Sequence, residues 1–157
     1  MKYTLCITQL LITEIPFLPY LKEVTLQSPG MVGALATLEA SCQALYHQRR
    51  FQEVEAAYTT LLEEGVDKET RAVVYNNRGH ARYMQVDFPG ALQDLEAALE
   101  LAPGLAAAHY TWATVTYRLG GYSKALPAFQ RAVELEPGNR EFQEGLAGCR
   151  GLTHTSA

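Results

Sequence analysis

The 157-residue chain is short of most features that announce chemistry. It has three cysteines, Cys6, Cys42 and Cys149, odd in number and widely spaced, so neither a disulfide framework nor a zinc set is written into it. Its four histidines, His47, His80, His109 and His154, have no H-E-x-x-H or C-x-x-C company, and no metal or other cofactor is expected. Cys42 and His47 stand five apart, out of easy reach on one helix, which excludes a thiolate–imidazole pair. Gly120-Gly121 lacks the rest of a phosphate loop. No cluster of Lys and Arg exceeds Arg49-Arg50, and 13 basic residues against 17 acidic ones give a net charge of −4, so nucleic acid is not the expected partner. No apolar run reaches the roughly 18 residues that a membrane span needs. A reducing, cytoplasmic setting is the expectation from cysteine usage, and an enzyme is not expected.

What the chain has is apolar content: 48% hydrophobic residues, nine tyrosines among them, too much for a disordered polymer. Residues 1–34 read as an N-terminal extension. Tyr3 to Thr13 is rich in Leu, Ile and Thr, and Pro16, Pro19, Pro29, Gly30 and Gly33 punctuate the remainder of this extension. A signal peptide fits poorly, because Gln9 and Glu14 interrupt the apolar stretch and no small-residue cleavage site comes after it. Three readings stay open: a loosely packed strand or helix leaning on the main domain, a poorly ordered tail, or a start of translation at Met31.

From about residue 35 the chain repeats itself. Val74–Gly104 aligns without gaps on Ala108–Gly138: Gly79 meets Ala113, Tyr83 meets Tyr117, Phe88 meets Tyr122, Ala91 meets Ala125, Ala98 meets Ala132, Leu101 meets Leu135, and Pro103 meets Pro137, each pair 34 residues apart. A weaker copy upstream keeps Tyr46, Phe51, Val54, Tyr58 and Leu61 at the same internal spacing, with Phe51 lying 37 residues before Phe88. Tyr75, Gly79 and Tyr83 recur at helical spacing. Val86 to Gly90 then breaks the pattern, as Gly120-Gly121 does in the next copy. A second helix comes next with Ala91, Leu95, Ala98 and Leu99 on one face, ended by Pro103-Gly104. Gly79, Ala91 and Ala98 lack bulk where two helices must approach closely.

This period, with small residues on two faces, an aromatic at mid-repeat and a terminal proline, resembles the tetratricopeptide repeat, a helix–turn–helix unit. The predicted fold class is therefore all-α: an α-solenoid of about three such units at 35–71, 72–105 and 106–139. A capping helix at 140–150 and a tail at 151–157 complete it. In the cap, Phe142 and Leu146 are expected inward, and Arg140, Glu141 and Glu144 outward. The acidic pairs Glu53/Glu55, Glu63-Glu64 and Asp94/Glu96 read as solvated helix faces.

The resemblance implies a concave groove lined by the first helix of each repeat, a site for a peptide or partner helix. The groove positions then read Glu39, Gln43, Tyr46 and His47; Asn76, Asn77, His80, Tyr83 and Met84; Tyr110, Thr111, Thr114, Tyr117 and Arg118. Tyr46, Tyr83 and Tyr117 fall at one repeat position and form a tyrosine stripe, suited to recognition or to packing alone. Some members of the family clamp the terminal carboxylates of chaperones with Lys and Asn, then Asn, then Lys and Arg. Of those places only Asn77 fits. Glu39, Gln43, Ala107 and Thr111 occupy the others, so binding of acidic chaperone tails is not expected. Asn77 reads as a helix-surface residue of the repeat. The implied function is that of a non-catalytic adaptor holding a protein segment in its groove, as a monomer or with weak self-association. The alternative is a structural subunit docking through its ends.

Overall fold

A computed structural model describes the backbone of residues 29–153 and the side chains of residues 37–152, Glu39 excepted. Seven helices succeed one another: α1 (Pro29–His47), α2 (Phe51–Glu64), α3 (Lys68–Met84), α4 (Phe88–Leu101), α5 (Ala106–Arg118), α6 (Tyr122–Leu135) and α7 (Arg140–Thr153). The described residues are all α, as expected. The expected signal-peptide-free start and the Tyr3–Thr13 segment lie outside the described residues. Helix α1 begins at Pro29, ahead of the repeat boundary placed at residue 35. Proline is tolerated at a first helical position, where its missing N–H would be unpaired in any case.

Odd and even helices form two rows. Each helix packs on the next in sequence, while α3 also touches α5 and α5 touches α7. Among the described helices α3, α5 and α7 touch in turn while α2, α4 and α6 make no comparable contact with one another, so the former are the inner, closer row and the latter the outer row. The core is three clusters in series. Cys42, Val54, Tyr58, Val74 and Ala81 join α1, α2 and α3. Tyr83, Ala91, Leu95 and Val115 join α3, α4 and α5. Tyr110, Phe129, Phe142, Leu146 and Cys149 are among those that join α5, α6 and α7. The small residues act as read. A Cβ added at Gly79 would stand 3.1 Å from the Ala91 carbonyl and from Leu95 Cγ, so α3 and α4 can meet only there without bulk.

The three turns between paired helices share one geometry. Arg50 N–H bonds Leu45 O, Asp87 N–H bonds Arg82 O and Gly121 N–H bonds Thr116 O, each at 2.9–3.0 Å. A shorter bond nests inside each, from the residue before, to Tyr46, Tyr83 and Tyr117. This six-to-one and five-to-two pairing needs a left-handed residue at its centre. The third turn uses Gly120, but the others use Arg49 (φ 58°) and Val86 (φ 66°). A β-branched residue there is strained, and Val86 is 68% exposed, so no packing compensates. Pro89 and the Asp87 cap, whose carboxylate accepts the Gly90 N–H at 3.0 Å, then start α4 directly.

Relief of the left-handed strain, about 1–2 kcal/mol, exceeds the extra chain entropy that glycine loses, about 0.5–1 kcal/mol. Val86→Gly is therefore expected to raise the thermal midpoint, a gain of up to about 1 kcal/mol. A midpoint lower than wild type would show that Val86 has a packing role that its exposure conceals.

Candidate functional site

The inner row brings the residues read as groove positions together, and its chemistry is set by how they hold one another. On α3, Asn76, Asn77, His80 and Tyr83 are buried, and on α5 so are Tyr110, Thr111 and Thr114. Tyr46 and Tyr117 are half-buried, as are Met84 and Arg118, while Gln43 and His47 are exposed near the end of α1. The side chain of Glu39 lies outside the described residues.

The tyrosines obey a single rule. Tyr46 meets Phe51 at 5.4 Å between ring centroids, Tyr83 meets Phe88 at 6.0 Å, and Tyr117 meets Tyr122 at 5.1 Å. Each therefore packs on the first aromatic of its partner helix across the turn, which accounts for its recurrence. His80 lies between two of them, 5.5 Å from the Tyr46 ring and 6.0 Å from Tyr83. The Tyr46 hydroxyl hydrogen-bonds His80 Nδ1 at 3.1 Å. Burial lowers the His80 pKa to about 4, so the ring is neutral at physiological pH. Burial and the neighbouring Tyr58 and Cys42 raise the Tyr46 phenol well above its ordinary value.

Asn77 is not a helix-surface residue. It is 5% exposed and its Nδ2 donates to the Tyr58 hydroxyl at 3.4 Å, because the α2 tyrosine reaches under α3. Asn76 Nδ2 donates in turn to Asn77 Oδ1 at 3.1 Å, and Asn76 Oδ1 is buried without a hydrogen-bond partner. On α5 the Thr111 and Thr114 hydroxyls turn back onto the Ala107 and Tyr110 carbonyls, both at 2.9 Å. Tyr110 stacks on Phe142 at 4.8 Å, and its hydroxyl lies near Glu141. Glu141 is half-buried there rather than fully outward as expected. Its burial, with the nearby Glu144, pushes its pKa up to about 7 against the opposing effect of the Tyr110 hydroxyl.

The charge-bearing contacts lie elsewhere. Arg78 grips Asp94 with two bonds, Nε–Oδ2 at 2.8 Å and Nη2–Oδ1 at 2.7 Å. Arg82 bridges Asp94 Oδ2 at 3.2 Å and Glu55 Oε1 at 2.8 Å. Asp94 and Glu55 are therefore not on solvated faces. Asp94, its side chain only 3% exposed, ties α4 to α3, and Glu55 ties in α2. Sequence reading missed this network because its partners sit on different helices. The one available signal is Arg78 and Arg82 at i, i+4, on a side of α3 that also carries apolar neighbours. Trp112, half-buried against the second core cluster, was missed as well.

No group of three or more His, Cys, Asp or Glu among the described residues could hold a metal ion. Among the same residues no helix is long and apolar enough to cross a membrane.

Residues 110–150 match the tetratricopeptide repeat family model. Over 105 residues the chain is 26% identical to Hsp70-Hsp90 organizing protein 1 of Glycine max, covering 67% of this chain and 18% of that protein. Over 34 residues it is 59% identical to tetratricopeptide repeat protein 36 of Homo sapiens, covering 22% of this chain and again 18% of the other. The chain thus spans less than a fifth of either relative. The first tetratricopeptide domain of Spaghetti (RPAP3), solved bound to the HSP90 peptide SRMEEVD, superposes with a TM-score of 0.68 at 22% identity, over 76% of this chain and 94% of that one. The chain shares that helical solenoid fold.

Two measurements probe the buried charges. Asp94→Ala leaves Arg78 and Arg82 facing each other without their carboxylate and is expected to cost about 3 kcal/mol. A loss below about 1 kcal/mol in denaturant titration would mean that the pairs are solvent-screened. His80 and Glu141 act oppositely on acidity. Below pH 6.5 the unfolded chain protonates His80 before the folded one does, so stability falls as pH drops towards about 4. Above pH 4.5 the unfolded chain loses the Glu141 proton first, so stability falls as pH rises towards about 7. His80→Gln should make the acid-side fall shallower, leaving the share of Glu55 and Asp67, whose pKa values are lowered, and Glu141→Gln should remove its fall towards pH 7, each change at most about 1.4 kcal/mol per pH unit. Superimposable pH profiles for wild type and both variants would contradict this.

Proposed function

We propose that this chain, with the fold of tetratricopeptide repeat domains, is a non-catalytic adaptor that holds a segment of a partner protein against its inner row. The observation that carries the reading is the continuous polar and aromatic face made by α3 and α5, flanked by Tyr46 and Tyr117. Its residues are oriented by one another, as a preformed binding surface requires. The proposed contact residues are Tyr46, His47, Asn76, Asn77, His80, Tyr83, Tyr110, Thr114, Tyr117 and Arg118. Among the described residues no group of three or more His, Cys, Asp or Glu accompanies them to hold a metal, and His80 is held neutral by burial, which suits a contact. We propose a cytoplasmic setting on the cysteine usage. The order Tyr75-Asn76-Asn77-Arg78-Gly79 and Val86-Asp87-Phe88 also supports kinship with the small vertebrate tetratricopeptide repeat protein thirty-two.

The ligand is neutral rather than an acidic C-terminal tail. The RPAP3 domain is described with SRMEEVD, but here the positions matching the family's basic clamp hold Glu39, Gln43, Ala107 and Thr111. Asn77, the one match, is bonded to Tyr58. A carboxylate moved into this face would find, in place of that clamp, Arg118 alone among the proposed contact residues as a charged donor, too little to offset its lost hydration. A second reading, docking into a larger assembly, draws on Val86 and Leu119, large apolar residues exposed at successive turns of one edge.

Calorimetry with SRMEEVD is expected to show no binding tighter than about 1 mM, and micromolar affinity would refute the neutral-ligand reading. Capture of a partner from cells should succeed with the wild-type chain and fail with Tyr46→Ala/Tyr117→Ala, both checked for helical content. If the double variant captures the same proteins and Val86→Ser/Leu119→Ser does not, the edge, not the inner row, is the interface.

A further inference from the structure

Where α5 meets α7, the inner face holds a carboxyl group with no cation of its own. The ring of Tyr110 lies against α7, stacked on Phe142. Gly145 makes that seat possible: a Cβ there would stand 2.8 Å from Tyr110 Cε2 and 3.0 Å from Phe129 Cε1. So placed, the Tyr110 hydroxyl lies near Glu141, in the first turn of α7. Glu141 is half-buried, yet among the described residues it forms no ion pair. Arg140 beside it has its side chain 90% exposed and is bonded to Glu144 at 2.8 Å. Nor is Glu141 needed to cap its helix, because Asn139 Oδ1 accepts the Phe142 N–H at 3.4 Å. Among the described residues, the titratable groups that bear on Glu141 are Tyr110 from α5 and Glu144 from its own helix, with none from α6, and neither supplies a positive charge.

A second unmet acceptor lies one inner helix away. Asn76 stands one repeat before Tyr110 on α3, which packs on α5. It is 5% exposed, its Nδ2 is engaged by Asn77, and its Oδ1 has no hydrogen-bond partner. A buried acceptor in that state is costly until a donor arrives, and a partly buried carboxylate without a cation is more so.

We propose that this corner seats one basic side chain, lysine or arginine, of the partner segment: Glu141 and the Tyr110 hydroxyl hold its charged head, and Asn76 Oδ1 accepts a backbone N–H of the same segment. Such heads carry only donors, and this corner offers acceptors. Neighbouring inner helices stand about 10 Å apart, so the amide on α3 and the carboxyl on α7 touch different parts of one ligand. Arg118 lies about 12 Å along α5 from Tyr110. Its buried Nε, also without a hydrogen-bond partner, suits a backbone carbonyl, and its charge keeps the basic residue at the α7 end. The inference rests on the inner face being the ligand site and refines the neutral-ligand reading at one position.

The probes are N-acetyl-lysine N′-methylamide, its norleucine and glutamate counterparts, and pentylamine. Each is titrated into the isotope-enriched full chain and followed by NMR at Asn76, Tyr110 and Glu141. The lysine probe should bind about tenfold tighter than the norleucine probe, the ratio that one charge-assisted hydrogen bond supplies. The glutamate probe should bind more weakly than norleucine. Because the ammonium stays charged while Glu141 titrates near 7, lysine affinity should fall about tenfold from pH 8 to pH 6. Glu141→Gln should abolish both the preference and the pH dependence, whereas Glu144→Gln should keep the preference. Equal binding of the lysine and norleucine probes by the wild-type chain overturns the proposal and needs no variant. A preference that survives in Glu141→Gln overturns it as well. Pentylamine binding as tightly as the lysine probe identifies a free amine as the occupant and also overturns it. Partner capture without a lysine preference removes only this seat; the preference without capture removes only the adaptor reading.

Discussion

No helix pair in this chain buries its own core. Each of the three apolar clusters takes residues from two paired helices and from the first helix of the next pair: Tyr58 and Val54 need Val74, Ala91 and Leu95 need Val115, and Phe129 needs Phe142. Apolar area removed from water is the main favourable term in folding, so an isolated pair would leave half of its stabilising face wet. That one requirement sets the linear order of the helices and the small residues at Gly79 and Ala91. It also sets the need for α7, which closes the last cluster with Phe142, Leu146 and Cys149 and turns Arg140 and Glu144 to solvent.

The polar groups divide along the same geometry. The charges that must be shielded, Arg78, Arg82, Asp94 and Glu55, are paired between α3 and the outer helices, where each carboxylate receives guanidinium hydrogen bonds. On the inner row the threonine hydroxyls turn back onto helix carbonyls and the Asn77 amide reaches the Tyr58 hydroxyl.

The fold was legible because a 34-residue period is a property of the line of residues, and the matched pairs from Gly79/Ala113 to Pro103/Pro137 register every later helix. The tyrosines of the stripe were legible as a set for the same reason. What was hidden depends on contacts between helices distant in sequence. Asp94 and Glu55 look like any acids on a helix surface until α3 brings Arg78 and Arg82 against them. Glu141 looks outward by local periodicity, yet it is half-buried near Tyr110. The depth of Asn77 arises from Tyr58, nineteen positions earlier, reaching across. The left-handed Val86 stands where a glycine would announce the turn, so composition disguised a motif that the backbone keeps in all three repeats.

The unequal rows have a mechanical consequence. Because α3 touches α5 and α5 touches α7, while α2, α4 and α6 stand apart from one another, the stack has its seams on the outside and its spine on the inside. Bending such a body opens or closes the outer gaps first and scarcely alters the distance from one inner helix to the next. A ruler laid along the inner face would keep its graduations while the molecule flexes, so whatever lies there is read in the same register in every curvature that the solenoid adopts.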